Sequence, residues 1–178
     1  VSADPRIIVI SGLPGAGKST IARLLGRRMP RAAHIEADEL QRFVISGGVW
    51  PEASGIHGEA EQQLRLRLRN ACLLARSFRE YGFTAIVDDI VAGSRLDHVI
   101  EDLDGVPFDF VMLLPRFEVM KARWREMGSP FVDSWDWIDD EIRLRTRRVG
   151  LWLDTSALAP DETVEVILNR LNDATVGA

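Results

Sequence analysis

Short apolar runs alternate with longer stretches of helical period along this chain, and that alternation predicts the order of its elements. Ile7, Ile8, Val9 and Ile10 form the first run, a strand over residues 7–10, and residues 18–29 read as a helix that Pro30 ends. A second strand over 32–36 leads past Asp38 into a short helix through Leu40 and Phe43. Residues 46–57, with Gly47, Gly48, Pro51 and Gly55, read as a loop. A long amphipathic helix over 59–81 carries Leu64, Leu68, Cys72 and Ala75 on one stripe, and Gly82 stops it. A buried strand over 84–87 delivers Asp88 and Asp89, and another over 109–114 is closed by Pro115. Residues 118–126 look helical. Residues 127–137 lack a clean period and contain Gly128 and Pro130, and a candidate lid is placed over 127–139. Helical character resumes over 139–148. A short last strand covers 151–154, and a closing helix covers 160–171 with Asp161 and Glu162 in its first turn.

Strands alternating with helices indicate an α/β protein with a mainly parallel sheet. At 178 residues and 46% hydrophobic, the chain suits a single domain over 1–178, with no internal repeat or low-complexity linker. The formal net charge of -5 argues against broad attachment to nucleic acid, while leaving room for a local basic patch that binds a phosphate group. Cys72 is the only cysteine, which excludes an intrachain disulfide, and its stripe marks it as core rather than as a reactive thiol. No apolar run approaches the ~20 residues of a membrane helix. No signal peptide is visible, and the expectation is a cytoplasmic protein with no membrane partner.

The chemistry is concentrated in Gly12-Leu13-Pro14-Gly15-Ala16-Gly17-Lys18-Ser19-Thr20, a complete P-loop that follows a predicted strand and opens a predicted helix. Its glycines let successive N–H groups point inward around phosphate oxygens, and the helix adds its positive N-terminal end. Lys18 is expected to reach the β and γ phosphates and Ser19 to hold Mg²⁺. Lys18 and Lys121 are the only lysines in a chain that otherwise uses arginine, so position 18 calls for a lysine rather than generic charge. The expected ligand is a nucleoside triphosphate.

Ligands of open α/β sheets bind beyond the C-terminal strand ends, where the P-loop, Asp38, Asp88, Asp89 and the Thr155-Ser156 turn are all expected. Asp88 directly follows Ala85-Ile86-Val87 and is the first candidate to support Mg²⁺, with Asp89 its close competitor; either could instead cap a helix or bind loop N–H groups. Asp38 is the candidate general base for a substrate hydroxyl, against an alternative as a helix N-cap with Gln41 three positions on. Arg123 is the candidate to stabilise charge on the transferring phosphoryl group, ahead of Arg125 and of Arg143, Arg145, Arg147 and Arg148, which read as a solvated helix face. His34, His57 and His98 show no metal-ligand spacing. Trp50, Trp135 and Trp137 fall in the two irregular segments and are expected to pack, with a substrate ring as the alternative.

These residues resemble small P-loop kinases, most closely the chloramphenicol phosphotransferase-like group. The resemblance rests on residues 12–20, the Ala37-Asp38 step, Ile86-Val87-Asp88-Asp89, and Leu153-Asp154-Thr155-Ser156 followed by an acidic closing helix. It implies a kinase-type three-layer sandwich with a five-stranded parallel sheet. It also implies that Asp38 acts as the base, that the P-loop binds ATP and Mg²⁺, and that Thr155 and Ser156 lie near adenine. The chain departs from the group at the lid, where Met127-Gly128-Ser129 follows Arg123 and Arg125 in place of closely spaced arginines.

The function expected from the sequence is therefore an ATP-dependent phosphotransferase with a small-molecule hydroxyl as acceptor, antibiotics among the candidates. A nucleoside or polynucleotide 5′-hydroxyl kinase is the enzyme alternative, and a nucleotide-binding regulatory protein the alternative outside enzymes. A GTPase would show an N-K-x-D motif, which the two lysines do not provide. Residues 44–58 and 127–139, expected to meet the acceptor, carry no recognisable motif.

Overall fold

Five strands lie side by side and parallel, in the spatial order β2-β3-β1-β4-β5: β1 (Ile7–Ser11), β2 (Ala32–Glu36), β3 (Thr84–Asp88), β4 (Phe108–Leu113) and β5 (Leu151–Leu153). This computed structural model describes residues 4–51, 56–126 and 136–177. Every residue of β1, β3 and β4 is buried, which fits their near-continuous apolar sequences, since a parallel sheet is covered on both faces. The helices that cover it are α1 (Lys18–Arg27), α2 (Ala37–Arg42), α3 (Gly58–Glu80), α4 (Arg95–Leu103), α5 (Phe117–Glu126), α6 (Asp136–Asp140) and α7 (Pro160–Asn169). Within these layers α1 packs against α7, and α3 against α4.

The register places the site. Ile10 pairs with Asp88 across β1 and β3, and Glu36 pairs with Asp88 across β2 and β3, so three strands end together. The opposite end of the sheet is tied down by Arg6, whose guanidinium grips the buried Asp109 with two bonds of 2.5 and 2.7 Å.

Three elements differ from the sequence expectation. Helix α4 was not predicted, although Leu96, Val99 and Leu103 line its buried face at helical spacing. A two-residue strand, β6 (Thr175–Val176), runs antiparallel to the start of β4 as a sixth, short strand. The helix expected over 139–148 starts at Asp136 as α6 and continues as a π-helical turn over Glu141–Arg145. Its early start takes residues 136–139 of the candidate lid into helix, and residues 127–135 of that lid, with Trp135, lie outside the described residues.

Candidate active site

The P-loop leaves β1 and enters α1 through two backbone positions that demand glycine. At Gly12 a Cβ would stand 2.6 Å from the Leu113 carbonyl oxygen, so a side chain there would push the loop off β4. Gly17 caps α1 with φ of 95°, in the left-handed region that side chains disfavour. The loop so formed opens onto a cavity of ≈ 580 Å³. Gly15, Ala16, Gly17, Lys18, Ser19 and Thr20 line one wall, with Arg123 of α5 and Thr155 from the turn after β5 facing the same space. Three distant segments thus meet in one cleft.

Lys18 has its ammonium on the Leu13 carbonyl oxygen at 3.2 Å, folded back over its own loop. Burial pulls its pKa below the ordinary lysine value, and attraction to Asp88, Asp89 and Asp38 partly offsets that. The Thr155 hydroxyl is buried in the cavity wall and has no hydrogen-bond partner among the described residues. A buried polar atom without a partner, facing an empty space beside a P-loop, fits a nucleotide that supplies the missing bond.

Ser156 is placed differently from Thr155. Its hydroxyl binds the Asp154 carboxylate and accepts the Arg116 N–H at 2.7 Å, so it closes the turn and does not line the cavity. The Ser156 hydroxyl and N–H, both donated to Asp154, hold its exposed carboxyl below the usual carboxylate range. Gly12 and Pro14 likewise shape the loop without lining the cavity, and Arg125 is exposed outside it.

The ends of β2 and β3 are bridged by a residue that the sequence did not single out. Arg67 is only 6% exposed on the inner face of α3, and its guanidinium reaches Asp38 at 2.8 Å with one nitrogen and Asp89 with another. Its Nε has no partner among the described residues. Asp38 sits in the first turn of α2, yet the N-cap is Glu36 and the Asp38 carboxylate goes to Arg67 rather than to backbone N–H groups. The helix-cap alternative for Asp38 therefore fails. Asp89 also accepts the Ile90 N–H at 2.8 Å, on the same Oδ1 that takes Arg67.

Asp88 is buried at the end of β3 with one carboxylate oxygen 2.7 Å from His34 Nε2. Among the described residues no three His, Cys, Asp or Glu side chains gather as a metal cage. One hydroxyl, Ser19, and one buried carboxylate, Asp88, nevertheless suit Mg²⁺, which keeps most of its ligands as water and phosphate oxygens. His57 is exposed, and Trp137 packs against the core.

A family model described as Zeta toxin matches residues 2–63, about a third of the chain, from the first strand through the P-loop into α3. Among curated protein sequences none matches. Solved structures are similar over nearly the whole chain. A sugar kinase from Janibacter sp. aligns with a TM-score of 0.69 at 20% identity, over 96% of each chain. The APS kinase of Mycobacterium tuberculosis, solved with AMPPNP and APS, aligns with a TM-score of 0.70 at 17% identity, over 96% of this chain and 99% of that one. The tunicamycin resistance protein of Deinococcus radiodurans aligns with a TM-score of 0.69 at 21% identity, over 93% and 95%. At these identities the likeness shows the fold alone: a parallel sheet between helices, as in the sugar kinase and the APS kinase.

Proposed function

We propose that this chain is an ATP-dependent phosphotransferase that moves the γ-phosphoryl group to a hydroxyl of a small molecule. The observation that carries the reading is the pairing of Asp38 with the buried Arg67 at the strand ends that also present Lys18. A nucleotide-holding site needs one carboxylate for its metal, which Asp88 supplies, and that leaves the second one, Asp38, without a task. A transferase gives it one, because Asp38 can accept the proton of the attacking hydroxyl.

The P-loop N–H groups and Lys18 hold the β and γ phosphates, Ser19 and Asp88 hold Mg²⁺, and Thr155 meets the nucleoside. Bound Mg²⁺ neutralises charge on the phosphates. Arg123, on the far wall of the same cavity, stabilises charge on the transferring group. The resemblance to the chloramphenicol phosphotransferase-like group and the structural likeness to a tunicamycin resistance protein keep antibiotics among the acceptors. The net charge of -5 favours a small molecule over a polynucleotide.

An ATP-consumption screen across antibiotics, nucleosides, sugars and short 5′-hydroxyl oligonucleotides tests the proposal. Turnover with one class supports it and names the acceptor. Tight Mg·ATP binding with no turnover on any class would replace it with a nucleotide-binding regulatory protein.

A further inference from the structure

A second cavity, of ≈ 270 Å³, lies between α3, the loop after β3 and the α6 region. Leu64, Leu68, Trp137 and Ile138 supply apolar wall, and Arg65, Arg95 and Arg145 project charge into the same space. Two of these arginines are already neutralised. Arg65 is held by both oxygens of Asp102, and Arg145 reaches Glu141 at 3.3 Å. Arg95 differs: its bond is to a neutral group, the Ile90 carbonyl oxygen at 3.1 Å, and no carboxylate lies within ion-pair distance among the described residues.

Burial pulls the Arg95 pKa below the ordinary arginine value, and the nearby carboxylates of Asp89, Glu141 and Glu61 compensate only in part. A guanidinium taken from water without a paired anion is costly, and its remaining N–H donors stay available to a ligand. Glu61, the cavity's other charge without an ion-pair partner among the described residues, is exposed and keeps its hydration. The stronger demand in this cavity is therefore for an anion.

The cavity also adjoins the chemistry. Leu64 and Leu68 flank Arg67 on the inner face of α3, and Ile90, which receives Arg95, follows Asp89, which receives Arg67. We infer that this cavity is the acceptor subsite and takes an organic alcohol bearing a carboxylate, with the anion on Arg95 and the apolar body against Trp137 and Ile138. The inference rests on the phosphotransferase reading for the reaction it serves. In that reaction the acceptor oxygen bonds to the γ-phosphorus, the bond to the β,γ-bridging oxygen breaks, ADP leaves, and the hydroxyl proton passes to Asp38.

Binding measured without nucleotide separates the two readings. Mandelate, tropate and quinate, each beside its primary amide, are titrated calorimetrically into the nucleotide-free protein. At least one acid is expected to bind about tenfold or more tightly than its amide, because the guanidinium fork matches a carboxylate and not a neutral amide. Arg95→Gln is expected to lower the acid to the level of the amide, with Arg95→Lys intermediate and serving alone if the glutamine variant does not melt cooperatively. Equal binding of acid and amide, no binding by any of the six compounds, or an undiminished preference in the variants overturns the inference. An acid preference in a protein that never consumes ATP overturns the phosphotransferase reading and leaves the anion site standing. Turnover on neutral acceptors with no acid preference does the reverse.

Discussion

Arg67 holds together the carboxylates of Asp38 and Asp89, and its removal separates structure from catalysis. Burying a guanidinium costs several kcal/mol, which Asp38 and Asp89 offset, and deleting it leaves Asp89 charged and alone in the interior. Arg67→Leu is expected to destabilise the fold by ~3–5 kcal/mol, read as a lowered denaturant midpoint. Asp38→Asn should behave otherwise. The amide oxygen still accepts from Arg67, so the melting temperature stays near wild type, while kcat falls ~10²-fold or more with ATP affinity kept. Unchanged turnover on the true acceptor would remove Asp38 from the mechanism. A third contrast lies between neighbours: Asp89 is ion-paired with the buried Arg67, whereas the partner of Asp88 among the described residues is the His34 imidazole. Asp88→Asn should therefore raise the Mg²⁺ concentration needed for half-maximal rate, and Asp89→Asn should mainly lower stability. A Mg²⁺ titration with the opposite order transfers the metal role to Asp89. Asp88 was legible because it ends an apolar strand, and Asp38 because it lies just past the second strand. Arg67 was not, because its neighbours Leu64, Leu68, Cys72 and Ala75 read as an ordinary core stripe. The signal was present: an arginine at 67 falls inside that stripe.

Helix α3 shows how far periodicity reaches. Its inner face was readable from the spacing of Leu64, Leu68, Cys72 and Ala75, all buried in the structure. Burial first, and then the charge of Asp102, push the Cys72 thiol up to about 12. The sign of the pH effect follows. Below the ordinary thiol value of 9.0 both folded and unfolded chains keep the proton. Above it the unfolded chain loses the proton first, so stability falls as pH rises from there toward about 12. Wild type should lose melting temperature more steeply above about pH 9 than Cys72→Ala, and its thiol should react with a disulfide reagent only after unfolding. Equal slopes, or fast labelling of the native protein, would place Cys72 outside the core. Strands β1, β3 and β4 were equally legible, since buried parallel strands announce themselves as unbroken apolar runs. Helix α4 escaped because it is short and follows Gly93, and the α6 turn because its first residues border the irregular 127–137 stretch. Such elements form through packing more than through local pattern.

The strand order is what turns separate motifs into a site. With β1 central and β3 and β4 beside it, the P-loop, the Asp88-Asp89 pair and the Thr155 turn emerge at one edge although they are far apart in sequence. The sequence pattern anticipated that gathering because parallel sheets bind ligands where their strands end. It did not reveal the Asp38, Arg67, Asp89 bridge or the cavity beside Arg95, since both depend on how α3 docks on the sheet. The reading as a phosphotransferase is decided by following phosphorus NMR of Mg·ATP mixed with the acceptor that the consumption screen identifies. The expected result is a phosphomonoester resonance growing in step with ADP, absent from the Lys18→Ala protein. ADP accompanied only by inorganic phosphate, or a phosphomonoester formed equally fast by Lys18→Ala, would contradict it.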